Sequence, residues 1–161
     1  MSTLPKELLH FFAKQPFMTI STCQSDQSSF SHTSVLLFIF EKDHFYFATH
    51  EASRKVRGLF ANPHVSGVIW TPNEMNVQWQ GIAERVKGAD WIFEKLIHKA
   101  GLEPGFWPPI FKYQDTESAV FKIKPIFMTV MQLDSKTISS AEPPMKVVLD
   151  ITENMATKKK K

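Results

Sequence analysis

HFYFATHEASRKVRGLFAN, residues 44–62, is the stretch that decides how this chain is read. Its opening residues are aromatic and β-prone, as in a strand. Ser53, Arg54 and Lys55 follow. Val56, Leu59 and Phe60 then recur at helical spacing, predicting a helix over about Ser53–Phe60. Asn62-Pro63 closes it, because a residue before proline avoids the α region. The junction therefore gathers one hydroxyl, two cations and the unpaired N–H groups of a helix start. A helix dipole favours acids in its first turn, so Arg54 and Lys55 run against it. Two cations in that place call for an anion, and free donors beside fixed positive charge suit a phosphate.

The flanking sequence supplies the rest of the fold. Residues 3–14 read as a helix with Leu4, Leu8, Phe11 and Phe12 on one face and Pro5 in the first turn. Phe17–Cys23 reads as a strand and Gln24–Ser29 as a polar turn. Phe30–Phe40 is the next strand, and Glu41-Lys42-Asp43 turns it into His44–Thr49 as a hairpin. After the central helix come a strand at His64–Thr71, a turn at Pro72–Glu74 and a long strand at Met75–Lys87. Gly81 inside that strand predicts a bulge, a bend or a close backbone contact. Residues 88–100 have the spacing of a third helix, with Gly101 as its C-cap. The 101–116 loop carries Trp107-Pro108-Pro109, and Ser118–Leu133 is a strand pair or one strand bent at Pro125. The expected class is mainly β with flanking helices. Short turns favour antiparallel pairing of six or seven strands, and a barrel closes such a sheet without exposed edges. The domain is expected over 1–134, with 135–161 as an arm and a disordered lysine-rich tail.

At 161 residues and 43% hydrophobic content, one domain with a real core is the simplest reading. Fourteen Phe and four Trp make that core aromatic. The single cysteine excludes an intrachain disulfide framework and a multi-cysteine metal site; Cys23 is expected to be a buried or half-buried structural thiol. Nothing has the apolar length of a membrane span, and the first residues lack a signal-peptide pattern, so a cytoplasmic location is expected, with no membrane partner. The net charge of +3 owes four charges to Lys158–Lys161; without them 15 basic residues face 16 acidic ones. A folded nucleic-acid face needs basic residues on structured elements, so no specific nucleic-acid partner is expected. The histidines His10, His32, His44, His64 and His98 lack metal-site spacing, and no metal is expected. No Ser-His-Asp order, carboxylate pair or P-loop is present, and no catalytic residue is assigned.

FYFATHEASRKVRGLFANPHVSGVIW (45–70) followed by VQWQGIAERV (77–86) resembles the pyridoxamine 5′-phosphate oxidase-like superfamily, the FMN-binding split barrels. The shared pattern is an aromatic strand ending in Thr, a Ser-Arg-Lys segment, a short helix, Asn-Pro-x-Val-Ser and a strand ending in Gly-x-Ala-Glu. The resemblance spans roughly Pro16–Leu133. It implies a split barrel, and a homodimer with FMN sites at the subunit interface. It places the phosphate on Arg54 and Lys55, with Thr49 and Ser53 beside them. It sets Asn76 near the flavin ring, with Gln78 a neighbouring alternative on the same strand face. The chain also departs from the oxidases proper: TSVLLF, residues 33–38, lacks the cations that begin and end that strand in them, and KIKPIFMTV replaces the C-terminal substrate segment. The resemblance is thus to the small general FMN-binding members. It implies a cytoplasmic FMN-dependent oxidoreductase acting on a small-molecule redox substrate, in which the flavin carries the redox chemistry. The alternatives are a non-catalytic flavin-binding or stress-related protein, and a haem- or deazaflavin-binding split barrel.

Each candidate also has a plainer reading. Arg54 and Lys55 suit a solvated helical turn, and Arg57 either the same region or a surface ion pair. Ser53 is explained by helix capping alone, and Thr49 is at home on any strand. His50 is a further candidate contact. Trp70, Trp79 and Trp107 suit a ring wall or a barrel filling; Trp107, in its Gly- and Pro-rich loop, is placed first as a pocket wall.

Overall fold

Leu8, Phe11 and Phe12 share one side of the first helix, and α1 (Lys6–Lys14) buries that side in the core. The computed structural model describes residues 4–23, 30–89, 91–101, 118–132 and 145–152. After α1 come β1 (Phe17–Cys23), β2 (Ser31–Leu37), β3 (Ile39–Glu41), β4 (His44–His50) and α2 (Arg54–Ala61). They are followed by β5 (His64–Thr71), β6 (Met75–Val86), α3 (Trp91–Ala100), β7 (Ser118–Gln132) and β8 (Met145–Asp150). Trp107 and its loop lie outside the described residues, as does the lysine tail.

All pairings are antiparallel, and the sheet runs β2-β1-β5-β6-β7-β4-β3, with β8 added along β7. The two ends of this seven-strand path, β2 and β3, are separated in the chain by Phe38 alone. A sheet whose ends are joined by one residue has to curl back on itself, which gives the split barrel expected from the sequence. Phe30–Phe40, read as one strand, is a correction. The chain pairs with β1 up to Leu37 and with β4 from Ile39 onward. The Phe38 N–H still donates to the Pro16 carbonyl at 3.1 Å, one step beyond the Phe17–Leu37 pair, and the chain turns to β4 immediately after it. The uniformly apolar run VLLFIF hides this change of partner.

The β3–β4 hairpin turns on Lys42 and Asp43, both left-handed (φ 50° and 62°), the geometry whose twist matches the flanking strands. Gly81 sits where the β6–β7 register slips, opposite Pro125. A Cβ there would lie 2.6 Å from Ile123 Cγ2 and 2.7 Å from the Lys124 carbonyl oxygen, so the backbone contact read from the sequence is real. Residues 118–132 form one strand across Pro125. Within 135–161, β8 pairs with β7 over Phe127–Met131.

The barrel interior is aromatic. Phe12 meets Phe45 at 5.2 Å, Phe45 meets Trp79 at 5.2 Å, and Phe38, Phe45 and Phe47 are fully buried. Each such ring contributes roughly 1.5–3 kcal/mol relative to exposure. A second cluster forms on the other side of β3, β4 and β7, where Ile92, Phe93 and Leu96 of α3 cover Ile39, Tyr46, Ala48 and Val120. Lys99, at the end of α3, ties three elements. Its Nζ donates to the carbonyls of Phe12 (2.7 Å) and Phe38 (2.9 Å) and lies 3.7 Å over the Phe38 ring. Burial pushes the Lys99 amine down to about 7.

Cys23 is exposed, contrary to expectation. Strand alternation turns Met18, Ile20 and Thr22 inward and leaves the last residue of β1 on the outer side.

Candidate functional site

α2 begins as the sequence predicts. Ser53 is extended (φ −69°, ψ 152°), and its hydroxyl accepts from the Val56 N–H at 3.4 Å. The helix is held down by buried Val56 and Leu59, and by Gly58 against Thr22, where a Cβ would approach to 3.2 Å. Its first turn contains no acid. Thr49, the inward residue near the end of β4, is 4% exposed, and its Oγ1 lies 3.4 Å from Ser53 Oγ. Lys55 reaches back over this turn and donates from Nζ to Thr49 Oγ1 at 3.1 Å. Burial lowers the Lys55 pKa, and among the described residues it has no ion pair. Thr49, Ser53 and Lys55 thus form one corner, and Arg54 is exposed on the same helical turn. A half-buried ammonium with one hydroxyl partner keeps spare donors and an unbalanced charge, which an anion answers. His50 accepts from the Ala52 N–H through Nδ1 at 3.2 Å and shapes the turn into the corner.

Asn76 and Gln78 lie elsewhere. They share the outer face of β6, opposite the buried Val77 and Trp79. Thr49 pairs with Ala119 of β7, whereas Gln78 pairs with Thr129 and Asn76 with Met131, ten and twelve residues further along that strand. One chain therefore does not bring the corner and the amides together. Among the described residues, Asn76 Oδ1 is buried without a hydrogen-bond partner, and so is Trp79 Nε1. Trp79 is packed in the barrel over Gly67, while Trp70 is 58% exposed on the outer face.

The sequence reading missed a groove on this outer face. Its volume is about 440 Å³, and Thr19, Ser21, Thr33, Ser66, Gln78 and Gln80 line it. The signal was present in the alternation of small hydroxyl residues with apolar ones in FMTISTC, which gives β1 a hydroxyl-bearing outer face. Thr19 also changes the ladder, since its Oγ1 accepts from the Val68 N–H at 2.8 Å. The ion pair of Arg85 with Glu51 was missed as well. Its partners are 34 residues apart, so no local pattern announces it. Among the described residues there is no cluster of three or more His, Cys, Asp or Glu, and no helix is long and apolar enough to cross a membrane.

The family model of pyridoxamine 5′-phosphate oxidase matches residues 4–125. A pyridoxine/pyridoxamine 5′-phosphate oxidase from Crocosphaera subtropica is 35% identical over 75 residues, 46% of this chain and 35% of that protein. The aligned stretch thus spans about a third of that relative's length. General Stress Protein 26 of Bacillus anthracis superimposes with a TM-score of 0.58 at 20% identity, over 78% of this chain and 91% of its own. The haem storage protein HutZ of Vibrio cholerae does so with a TM-score of 0.57 at 16% identity, over 76% and 89%. At such identities these two structures establish the shared fold. The chain belongs to the pyridoxamine 5′-phosphate oxidase-like split-barrel superfamily, whose members share one barrel and differ in specific function.

Proposed function

We propose that this member of the superfamily is a flavoprotein that binds FMN and serves as an FMN-dependent oxidoreductase on a small-molecule redox substrate. The observation that carries the reading is Lys55: a half-buried ammonium whose one hydrogen bond among the described residues is to Thr49, at the capped start of a helix with a wholly non-acidic first turn. In this reading the FMN phosphate takes the corner. Lys55 supplies charge, Arg54 supplies a planar pair of donors from the solvent side, and the hydroxyls of Thr49 and Ser53 complete the cradle. Bound flavin would supply the redox chemistry, and the protein's part is binding, orientation and exclusion of water.

The amides of Asn76 and Gln78 are proposed to face the ring. Their distance from the corner along β7 supports a homodimer in which the cofactor site is completed between two chains. The unpartnered Asn76 Oδ1 supports the same reading, because a buried acceptor without a donor costs about 1–3 kcal/mol until a ligand or partner supplies one. The uncharged groove beside Gln78 offers the neutral hydroxyl and amide surface that a planar, polar ring needs. Trp107 is proposed as a wall of the pocket. A cytoplasmic setting fits a protein of this kind.

The test is the visible spectrum of the purified protein, followed by FMN titration of any colourless fraction. Flavin bands and near-stoichiometric FMN release support the proposal, and reduction by NADH or NADPH with turnover supports the oxidoreductase part. Bound flavin without turnover reduces the protein to a carrier or sensor. A Soret band, or indifference to micromolar FMN, overturns the assignment.

A further inference from the structure

Arg85 lies on β6, directly across from Phe121 of β7. Its guanidinium makes two parallel contacts with one carboxylate, Nη1 to Glu51 Oε1 and Nη2 to Oε2, each 2.8 Å. Glu51 belongs to the turn between β4 and α2, two residues before the capping Ser53. The same guanidinium lies 5.9 Å from the ring centre of Phe60, in the last turn of α2, and Phe60 in turn meets Phe121 edge-on at 6.3 Å. One side chain thus touches the chain just before α2 and near its end, and ties both to the barrel wall. Most exposed ion pairs are weak, but a forked arginine–carboxylate pair is the geometry that fixes orientation.

Glu51 also sets an electrostatic problem. It is an acid beside a corner whose other groups favour an anion, and a bound phosphate would feel its charge. Arg85 answers that charge. We infer that Arg85 tunes the charge of the anion corner: its fork holds the guanidinium against Glu51 and offsets that carboxylate, so that the corner presents net positive charge to a phosphate-bearing ligand. The inference rests on the phosphate-corner reading proposed above and assigns no role to Arg85 in contacting the ligand.

The experiment is a double-mutant cycle with FMN as the probe, read as dissociation constant, its salt dependence and thermal midpoint, for wild type, Arg85→Gln, Glu51→Gln, the double variant and Arg85→Lys. Lys55→Ala serves as the reference for loss of the corner. Arg85→Gln is expected to weaken FMN binding roughly five- to tenfold at low salt, with the loss shrinking as salt rises. Glu51→Gln leaves affinity unchanged or raises it, and the double variant recovers most of the loss. Arg85→Lys, which keeps the charge but not the fork, falls between. A bridge that matters only for folding would make Glu51→Gln as damaging as Arg85→Gln and leave the double variant no better; that result overturns the inference. So does Arg85→Gln binding FMN as wild type does while Lys55→Ala fails, which leaves the corner standing. Wild-type protein that ignores FMN overturns the function and this inference together.

Discussion

Lys55 and Lys99 are both half-buried lysines whose pKa burial lowers, and neither has an ion-pair partner among the described residues. Their surroundings differ in one respect. Lys99 has two of its three donors on the carbonyls of Phe12 and Phe38 and the Phe38 ring beneath its nitrogen. Lys55 donates to a single hydroxyl among the described residues. A cation held by two backbone carbonyls and a ring face joins elements of the fold. A cation of similar burial with donors to spare is the one proposed above to take a ligand. Burial alone does not separate the two, and the count of partners does.

The largest expected effect breaks this contrast if it fails. Replacing both Arg54 and Lys55 by Ala should weaken FMN binding by about 100-fold, or roughly 3 kcal/mol, as expected for two charge-assisted contacts. The thermal midpoint should barely move, because the corner contributes little packing. Flavin fluorescence titration and calorimetry on the same sample check both halves. The mirror experiment is Lys99→Ala. It should cost about 1–2 kcal/mol of stability in denaturant titration, the worth of two hydrogen bonds to carbonyls, and leave FMN affinity within about twofold. If the two variants exchange signatures, the assignment of pin and ligand site is reversed.

The pH dependence sharpens the same contrast. Lys55 loses its proton at lower pH than an ordinary lysine, so FMN affinity should start to fall below the usual lysine range. A bound phosphate raises the pKa again, so binding takes up a proton there, which calorimetry in buffers of different ionisation heat detects. Lys99 acts on stability. Its folded pKa is about 7 against the 10.5 of an ordinary lysine, so between these values the unfolded chain holds more protons than the folded one. Stability therefore gains a contribution as pH rises from about 7 towards 10.5 and loses it as pH falls back. Lys99→Met should lack that slope in denaturant titrations, a smaller effect than the others because the side chain is partly solvated.

The two lysines also show what the sequence disclosed and what it withheld. Lys55 was legible because its signal is local: a cation in the first helical turn, six residues after Thr49 and two after a capping Ser. Most of the strands, the α2 cap and the stop at Asn62-Pro63 were legible for the same reason. Lys99 was not, since its partners are carbonyls 87 and 61 residues away, and a lysine in the last turn of a helix looks like an ordinary solvated residue. Phe38 was hidden in an apolar run whose periodicity does not change where its pairing partner does. The strand β8 was hidden because none of its six residues is buried: four are exposed and two half-buried, with no alternation of apolar and polar positions to announce a strand. Asn76 and Gln78 were readable as a pair on one face, but their distance from the corner emerged only from the register of β7.

Phe38 carries a consequence for how this barrel comes apart. Because the strand changes partners there, the β1 side and the β4 side are joined by a covalent hinge whose ring is locked among Phe12, Phe45 and the Lys99 ammonium. Neither side can peel away as a zipper would, since loosening one tugs the residue that seats the other. Amide hydrogen exchange in β1 and β4 should therefore proceed through one shared opening event, with a single free energy for both strands.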